Sequence, residues 1–172
     1  MFAESEKVRD PVCLMEVDPD QHAIEYEGMH FAFCSRQCQE RFMANPHAYI
    51  GVPGAKAPKQ QGRQIVKRRR LRLAEPLPEP MEREITDRLT AMMGMKTVWF
   101  RQCAVSITYD LLQVTMSQIE AVLQDAGARL SQAWVQKARR ACIHYFEETE
   151  AENLAVHPRH GGHGHGGAHH HH

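Results

Sequence analysis

Asp10-Pro11-Val12-Cys13-Leu14-Met15 and Phe31-Ala32-Phe33-Cys34-Ser35-Arg36-Gln37-Cys38 bracket the stretch that decides the fold of this chain, which runs on through Phe42 to Asn45-Pro46-His47-Ala48-Tyr49. Cys13, Cys34 and Cys38 form a C-x20-C-x3-C set. Thiolates at this density suit a soft or borderline cation such as Zn(II) or Cu(I). Cys34 and Cys38 lie four residues apart and share one face of a helical turn. Cys13 sits on a turn that a hairpin can return to that face.

Three thiolates leave a fourth position, for which Met15, His22, His30, His47 and water are candidates. A histidine would close a Cys3His site of the structural zinc kind. A thioether or an open position would suit Cu(I) or Ag(I). His30 is the preferred histidine, because it lies close to Cys34 on the same strand region, and Met15 is the preferred thioether.

The stretch resembles the YHS domain, a member of the treble-clef (TRASH) metal-binding group. The matching elements are Asp10-Pro11-Val12-Cys13-x-Met15, Tyr26-Glu27-Gly28, Phe33-Cys34-Ser35-x-x-Cys38, Phe42 and Asn45-Pro46-x-x-Tyr49. The resemblance implies a small treble-clef-like domain over residues 1–50 that binds a transition metal. Leu14 stands where the family usually has Gly, and a turn that needs positive φ is costly for Leu.

With 172 residues the chain has room for two small domains. Its formal charge is zero, but unevenly spread. Residues 1–50 carry 4 basic and 9 acidic groups, residues 51–80 carry 8 and 2, and the remainder 9 and 10, so the basic excess is confined to one short segment. No export signal or membrane-length apolar run is present, which points to a cytoplasmic protein without membrane insertion. Five cysteines, three of them grouped, suit metal-held thiols in a reducing compartment better than a disulfide framework.

Residues 51–63, with three Gly, two Pro and no large apolar cluster, read as a linker. From residue 64 the pattern predicts a strand over Ile65–Leu73 and a helix carrying Met81, Ile85, Leu89, Met92 and Met93 that Gly94 ends. Strands over Lys96–Cys103 and Val105–Tyr109 follow, then a helix opened by the capping box Thr115-x-x-Gln118. This β-α-β-β-α order over 64–130 resembles the ferredoxin-like heavy-metal-associated domain. Those domains carry Cys-x-x-Cys after the first strand; here that loop is Glu75-Pro76-Leu77-Pro78-Glu79-Pro80, so the resemblance is to a degenerate copy without a metal site. Residues 131–155 read as an added C-terminal helix, with Ser131 as N-cap and Trp134, Ala138, Ala141, Cys142 and Tyr145 as its apolar stripe, for packing on the sheet or binding a partner helix. Residues 156–172 are a Gly/His tail, read as disordered. In it His157, His160, His163 and His165 are secondary metal candidates, while His169 to His172 read equally as native sequence or as a tag. Met92, Met93 and Met95 read as core filling, and Cys103 and Cys142 as small buried hydrophobes.

Lys67-Arg68-Arg69-Arg70 with Arg72 reads as a solvated strand edge. No stacking aromatic is interleaved with it, so nucleic acid is disfavoured as a partner. No nucleophile elbow, phosphate loop or His-Glu-x-x-His occurs, so the chain does not read as an enzyme. The expected fold class is α+β. The expected function is heavy-metal homeostasis: a metallochaperone-like protein that holds Cu(I), Ag(I) or Zn(II) on Cys13, Cys34 and Cys38. The family resemblance suggests a metal-exporting P-type ATPase as partner. The alternative is a structural-zinc adaptor that mediates protein–protein interaction.

Overall fold

The computed structural model describes residues 6–156, along which short strands and helices alternate in an α+β arrangement. In the N-terminal part, β1 (Val8–Arg9) pairs antiparallel with β2 (Glu16–Val17) on either side of the Cys13 turn. β3 (Ile24–Tyr26) and β4 (Met29–Phe31) form a hairpin. Its Glu27-Gly28 turn has φ of 49° and 74°, the left-handed pair that a tight two-residue hairpin requires. Helix α1 (Arg36–Ala44) starts where the Ser35 hydroxyl accepts the Cys38 backbone N–H, and stops at Asn45 because Pro46 cannot continue it. Phe42 on α1 is the hub of the small core. The rings of Tyr26, Phe31, Phe33 and Tyr49 surround it at centroid distances of 4.8–6.1 Å.

Residues 51–63 fold back rather than swing free. Ala57, Pro58 and Lys59 are buried, and the Lys59 N–H donates to the Ala48 carbonyl at 3.1 Å. Ala and Pro bury without loss of side-chain entropy, so a linker-like composition is still compatible with packing.

The second part runs β5 (Val66–Arg72), α2 (Glu79–Thr90), β6 (Met95–Arg101), β7 (Ala104–Asp110) and α3 (Met116–Asp125). β7 lies between β5 and β6, antiparallel to both. Period-two alternation puts Leu71, Val105, Ile107, Tyr109, Val98 and Phe100 on one face. There they pack with Ile85 and Leu89 of α2 and Met116, Ile119 and Leu123 of α3. The expected capping box is complete, with Thr115 and Gln118 each accepting the other's backbone N–H. Leu73 bridges Leu130 antiparallel, so the chain after α3 touches the outer side of β5 for one residue pair and then leaves. Met92 and Met95 pack on this core and Met93 on the N-terminal one, which agrees with a filling role.

Helix α4 (Trp134–Val156) departs from the expected cap and, of the two roles expected for its apolar stripe, does not show packing on the sheet. Ser131 does not cap it: the hydroxyl accepts only the Ala133 N–H, at 3.4 Å, and the helix begins at Trp134. Ala138, Ala141 and Cys142 are exposed, as are Tyr145 and Phe146 at 65% and 64%. Polar residues make up most of the buried face. Glu147 accepts the Tyr109 hydroxyl and the Met116 N–H, the latter at 3.0 Å at the start of α3. Arg140 and His144 approach Glu120 at 3.8 and 3.4 Å. Charged groups on both sides of the contact chose the docked face, and Ala138, Ala141, Cys142 and Tyr145 were left to solvent, the Trp134 side chain lying outside the described residues.

The two parts meet at Leu111–Gln113, just after β7. Arg41 donates to the Leu111 carbonyl at 2.9 and 3.1 Å, the Tyr49 hydroxyl to Leu112 at 2.6 Å, and the Gln37 amide to Met93 and Gln113 at 2.9 and 3.1 Å. The Leu112 side chain is fully buried in the N-terminal core. Gly94 (φ 88°) lets this turn approach, since a Cβ there would lie 2.5 Å from Gln113 Cβ.

Candidate metal centre

The site is built on two backbone turns. The first spans Asp10–Met15 and is closed by Leu14 N–H to Asp10 O and Asp10 N–H to Met15 O, both 2.9 Å. Leu14 sits at φ 69°, the left-handed conformation that the Gly of the related pattern would adopt without strain. The second turn leads from β4 into α1 and carries Cys34, with Cys38 one helical turn on. Cys13 Sγ lies 3.4 Å from Cys34 Sγ, and Cys34 Sγ lies 3.5 Å from Cys38 Sγ. A tetrahedral centre with metal–sulfur bonds of about 2.3 Å separates its sulfurs by about 3.8 Å. The observed spacing fits within a few tenths of an ångström.

The sulfurs converge on one point. Residues 8–52 match the YHS domain family. No curated protein and no solved structure matches the chain. The match covers the N-terminal quarter and leaves the remaining fold without a named relative.

The YHS domain contributes a fourth group that the sequence reading missed. Asp10 is fully buried, and its carboxylate lies with the three sulfurs in a set whose ligand atoms are all within 4.8 Å of one another, able to hold a metal ion. Its oxygens are already engaged. Oδ1 accepts the N–H of Val12 at 2.7 Å and of Cys13 at 3.3 Å, and Oδ2 that of Cys34 at 2.8 Å. Asp10 thus ties the two cysteine-bearing turns together. The available signal was an Asp next to Pro at the head of a cysteine turn, a placement that favours side-chain capping of the following N–H groups.

His30 is not in that set. Its Nε2 bonds to the Pro19 carbonyl at 2.7 Å on the exposed side of the hairpin. Strand alternation explains this: Phe31 packs on Phe42, so the neighbouring His30 faces the other way. Met15 lies two residues from Cys13, half exposed. His22 is exposed, and His47 Nδ1 is buried without a hydrogen-bond partner. His157, His160, His163 and His165, and His169 to His172, lie outside the described residues. Of the other thiols, Cys103 is half-buried and Cys142 exposed, so the latter is not the buried hydrophobe expected.

The three thiols do not share charge equally. A hydrogen bond from Cys38 lowers the Cys13 thiol to about 7, and Cys38 is itself raised by that bond and by burial. Burial pushes Cys34 up to about 11. The cluster therefore holds one thiolate readily, and a cation must drive the other two protons off. Lys59, from the segment after the YHS match, is buried at 7% exposure. Burial lowers its ammonium below the ordinary range, while the charges of Asp110, Cys13, Cys38 and Asp10 pull it back up. Nothing in the local sequence marked this lysine.

Proposed function

We propose that the protein takes up a soft metal ion, Cu(I) or Ag(I), on Cys13, Cys34 and Cys38 and hands it on by ligand exchange. The convergence of three sulfurs at 3.4 and 3.5 Å carries this reading. Cys13 and Cys34 are only half-buried, so an incoming thiolate from a partner has a route to the ion, while buried Cys38 anchors it from below. Met15, or Asp10 by a shift of its carboxylate, would supply a further donor. The protein would act as a metallochaperone-like binding protein in the cytoplasm, not as an enzyme, with a metal-exporting P-type ATPase as recipient and the His-rich tail as a local buffer.

The order β-α-β-β-α, with the first strand beside the third, supports a ferredoxin-like reading of residues 64–130. The loop after β5 contains no cysteine, so this half would serve docking, not coordination, as a degenerate heavy-metal-associated domain. A treble-clef-like description of the YHS part rests on its hairpin followed by a cysteine-bearing helix.

The exposed apolar face of α4 favours a second reading, a structural-zinc adaptor whose helix binds another protein. Elemental analysis of protein prepared without a metal column, on the intact chain and on Cys34→Ser, tests both. A delivery site releases its ion to a competing chelator and stays folded; a structural zinc site unfolds when stripped. An intact chain that takes up neither Cu(I) nor Zn(II) ends both readings.

A further inference from the structure

The sheet has one covered face and one open one. Register decides which residues share the open face. Arg68 pairs with Thr108 and Thr108 with Thr97; Arg70 with Ser106 and Ser106 with Trp99; Arg72 with Ala104 and Ala104 with Arg101. These three ranks alternate with those that carry the core, so they lie on the opposite face of the sheet, where Trp99 at the β6 edge also borders α2. Arg68, Arg70, Arg72, Arg101 and Thr97 are exposed, and Trp99 is 55% exposed. None of the four arginines makes an ion pair among the described residues. Lys67 and Arg69 point to the other side, where Lys67 pairs with Glu150 of α4 at 2.5 Å.

A half-exposed indole lies across β7 from a row of guanidinium groups, with only small hydroxyl side chains between them. A Trp so exposed loses apolar contact unless something flat covers it. The neighbours that would surround such a cover favour anions. β5 and β6 are separated by β7, so the arginine row runs about 10 Å from the indole, with about 6.8 Å between successive arginines. On the far side of Trp99, Glu79, Glu82 and Asp87 of α2, offset in part by Arg83, line a cleft of about 230 Å³ with it. That edge repels phosphate. The anionic part of a ligand is held over β5 and its planar part over β6.

We propose that this open sheet face binds single-stranded nucleic acid, with Arg68, Arg70 and Arg72 on the phosphates and a base stacked on Trp99. Unstacked bases cover exposed aromatic rings, whereas paired bases inside a duplex are not available to do so. Ser106, Thr97 and Thr108 supply hydrogen-bond partners for sugar and base edges. No aromatic is interleaved with the basic run along the chain, but Trp99 reaches the same face from another strand.

The test is fluorescence anisotropy of labelled oligonucleotides of roughly 15 nucleotides, poly-dT and poly-U and a duplex of equal length, titrated with the full chain at about 50 and 200 mM salt. The expected result is binding of the single strands in the micromolar range, weakened about 20-fold at the higher salt if three phosphates are neutralised. Trp99→Ala weakens it by about 5- to 100-fold, Trp99→Phe largely restores it, and Arg68→Glu/Arg70→Glu removes it. Thermal melts followed by circular dichroism check that these surface variants stay folded. Failure to bind either single strand at low salt overturns the proposal. So does tighter binding to the duplex, to phosphatidylserine vesicles or to heparin, or single-strand affinity that does not change in Trp99→Ala.

Discussion

The Asp10 carboxylate accepts the Cys34 backbone N–H at 2.8 Å, across 24 residues of chain. Its other oxygen holds the Cys13 turn, so one buried side chain sets the relative position of two sulfur donors. Asp10 also opposes thiolate formation at Cys13 through its charge. The two effects have opposite signs for metal uptake.

Asp10→Asn separates them. The amide nitrogen meets backbone N–H donors and leaves at least one unpaired, which costs about 1–3 kcal/mol of stability. Groups that orient metal ligands typically carry a 10–100-fold share of affinity, which exceeds the relief from removing one neighbouring charge. The expected outcome is weaker metal binding and a lower denaturation midpoint, read by chelator competition and urea titration. Tighter binding in Asp10→Asn would show that charge, not positioning, dominates.

Metal affinity should rise steeply with pH. Between about pH 7 and 11 Cys13 is the thiolate, while Cys34 and Cys38 still hold protons. Loading all three sulfurs then releases two protons per ion, so the apparent association constant climbs about 100-fold per pH unit. Below pH 7 the third proton joins and the dependence steepens. Potentiometric or dye-based counting of released protons in weak buffer measures this directly; release of one proton or fewer would mean that not all three thiols coordinate.

Leu14→Gly should stabilise the apo protein. A non-glycine residue in the left-handed region carries about 1–2 kcal/mol of strain. Glycine gives back about 0.5–1 kcal/mol through the freedom of the unfolded chain. Leu14 is 47% exposed, so little burial is lost. A gain of up to about 1 kcal/mol in urea denaturation is expected. A loss would assign the Leu14 side chain a packing role.

Tyr49→Phe keeps the ring on Phe42 but removes the donor to the Leu112 carbonyl at the junction of the two parts. Burial raises the Tyr49 hydroxyl well above its usual range, so it is a neutral donor at all ordinary pH. The unpaired buried carbonyl costs about 1–3 kcal/mol. If the parts unfold as one unit, fluorescence and circular dichroism melts shift down together. Separation of the two transitions would show that the junction had been their coupling.

Most elements were legible because their signals are local. The Thr115-x-x-Gln118 box and the alternation in Val105–Tyr109 each specify backbone conformation within a few residues. The strands β1 and β2 were missed because two-residue pairs carry no periodicity. Whether the α4 stripe packs on the sheet could not be read, because amphipathicity reports which residues are apolar, not which partner surface they meet. That surface presents Glu120, Tyr109 and the start of α3, and so it selected Arg140, His144 and Glu147.

The sequence by itself determined the three thiols, their spacing, the turn and helix that carry them, and the absence of cysteine from the loop after β5. Those are matters of residue type and short-range stereochemistry. Only the tertiary structure decided that Asp10 lies among the three sulfurs and His30 does not, that Lys59 is buried, and that Trp99 and Arg70 share a rank across Ser106. Each depends on which side of a strand or turn a group leaves from and on what the distant chain brings to meet it. The energies involved come from burial and hydrogen bonding between segments, which do not exist until the chain has closed.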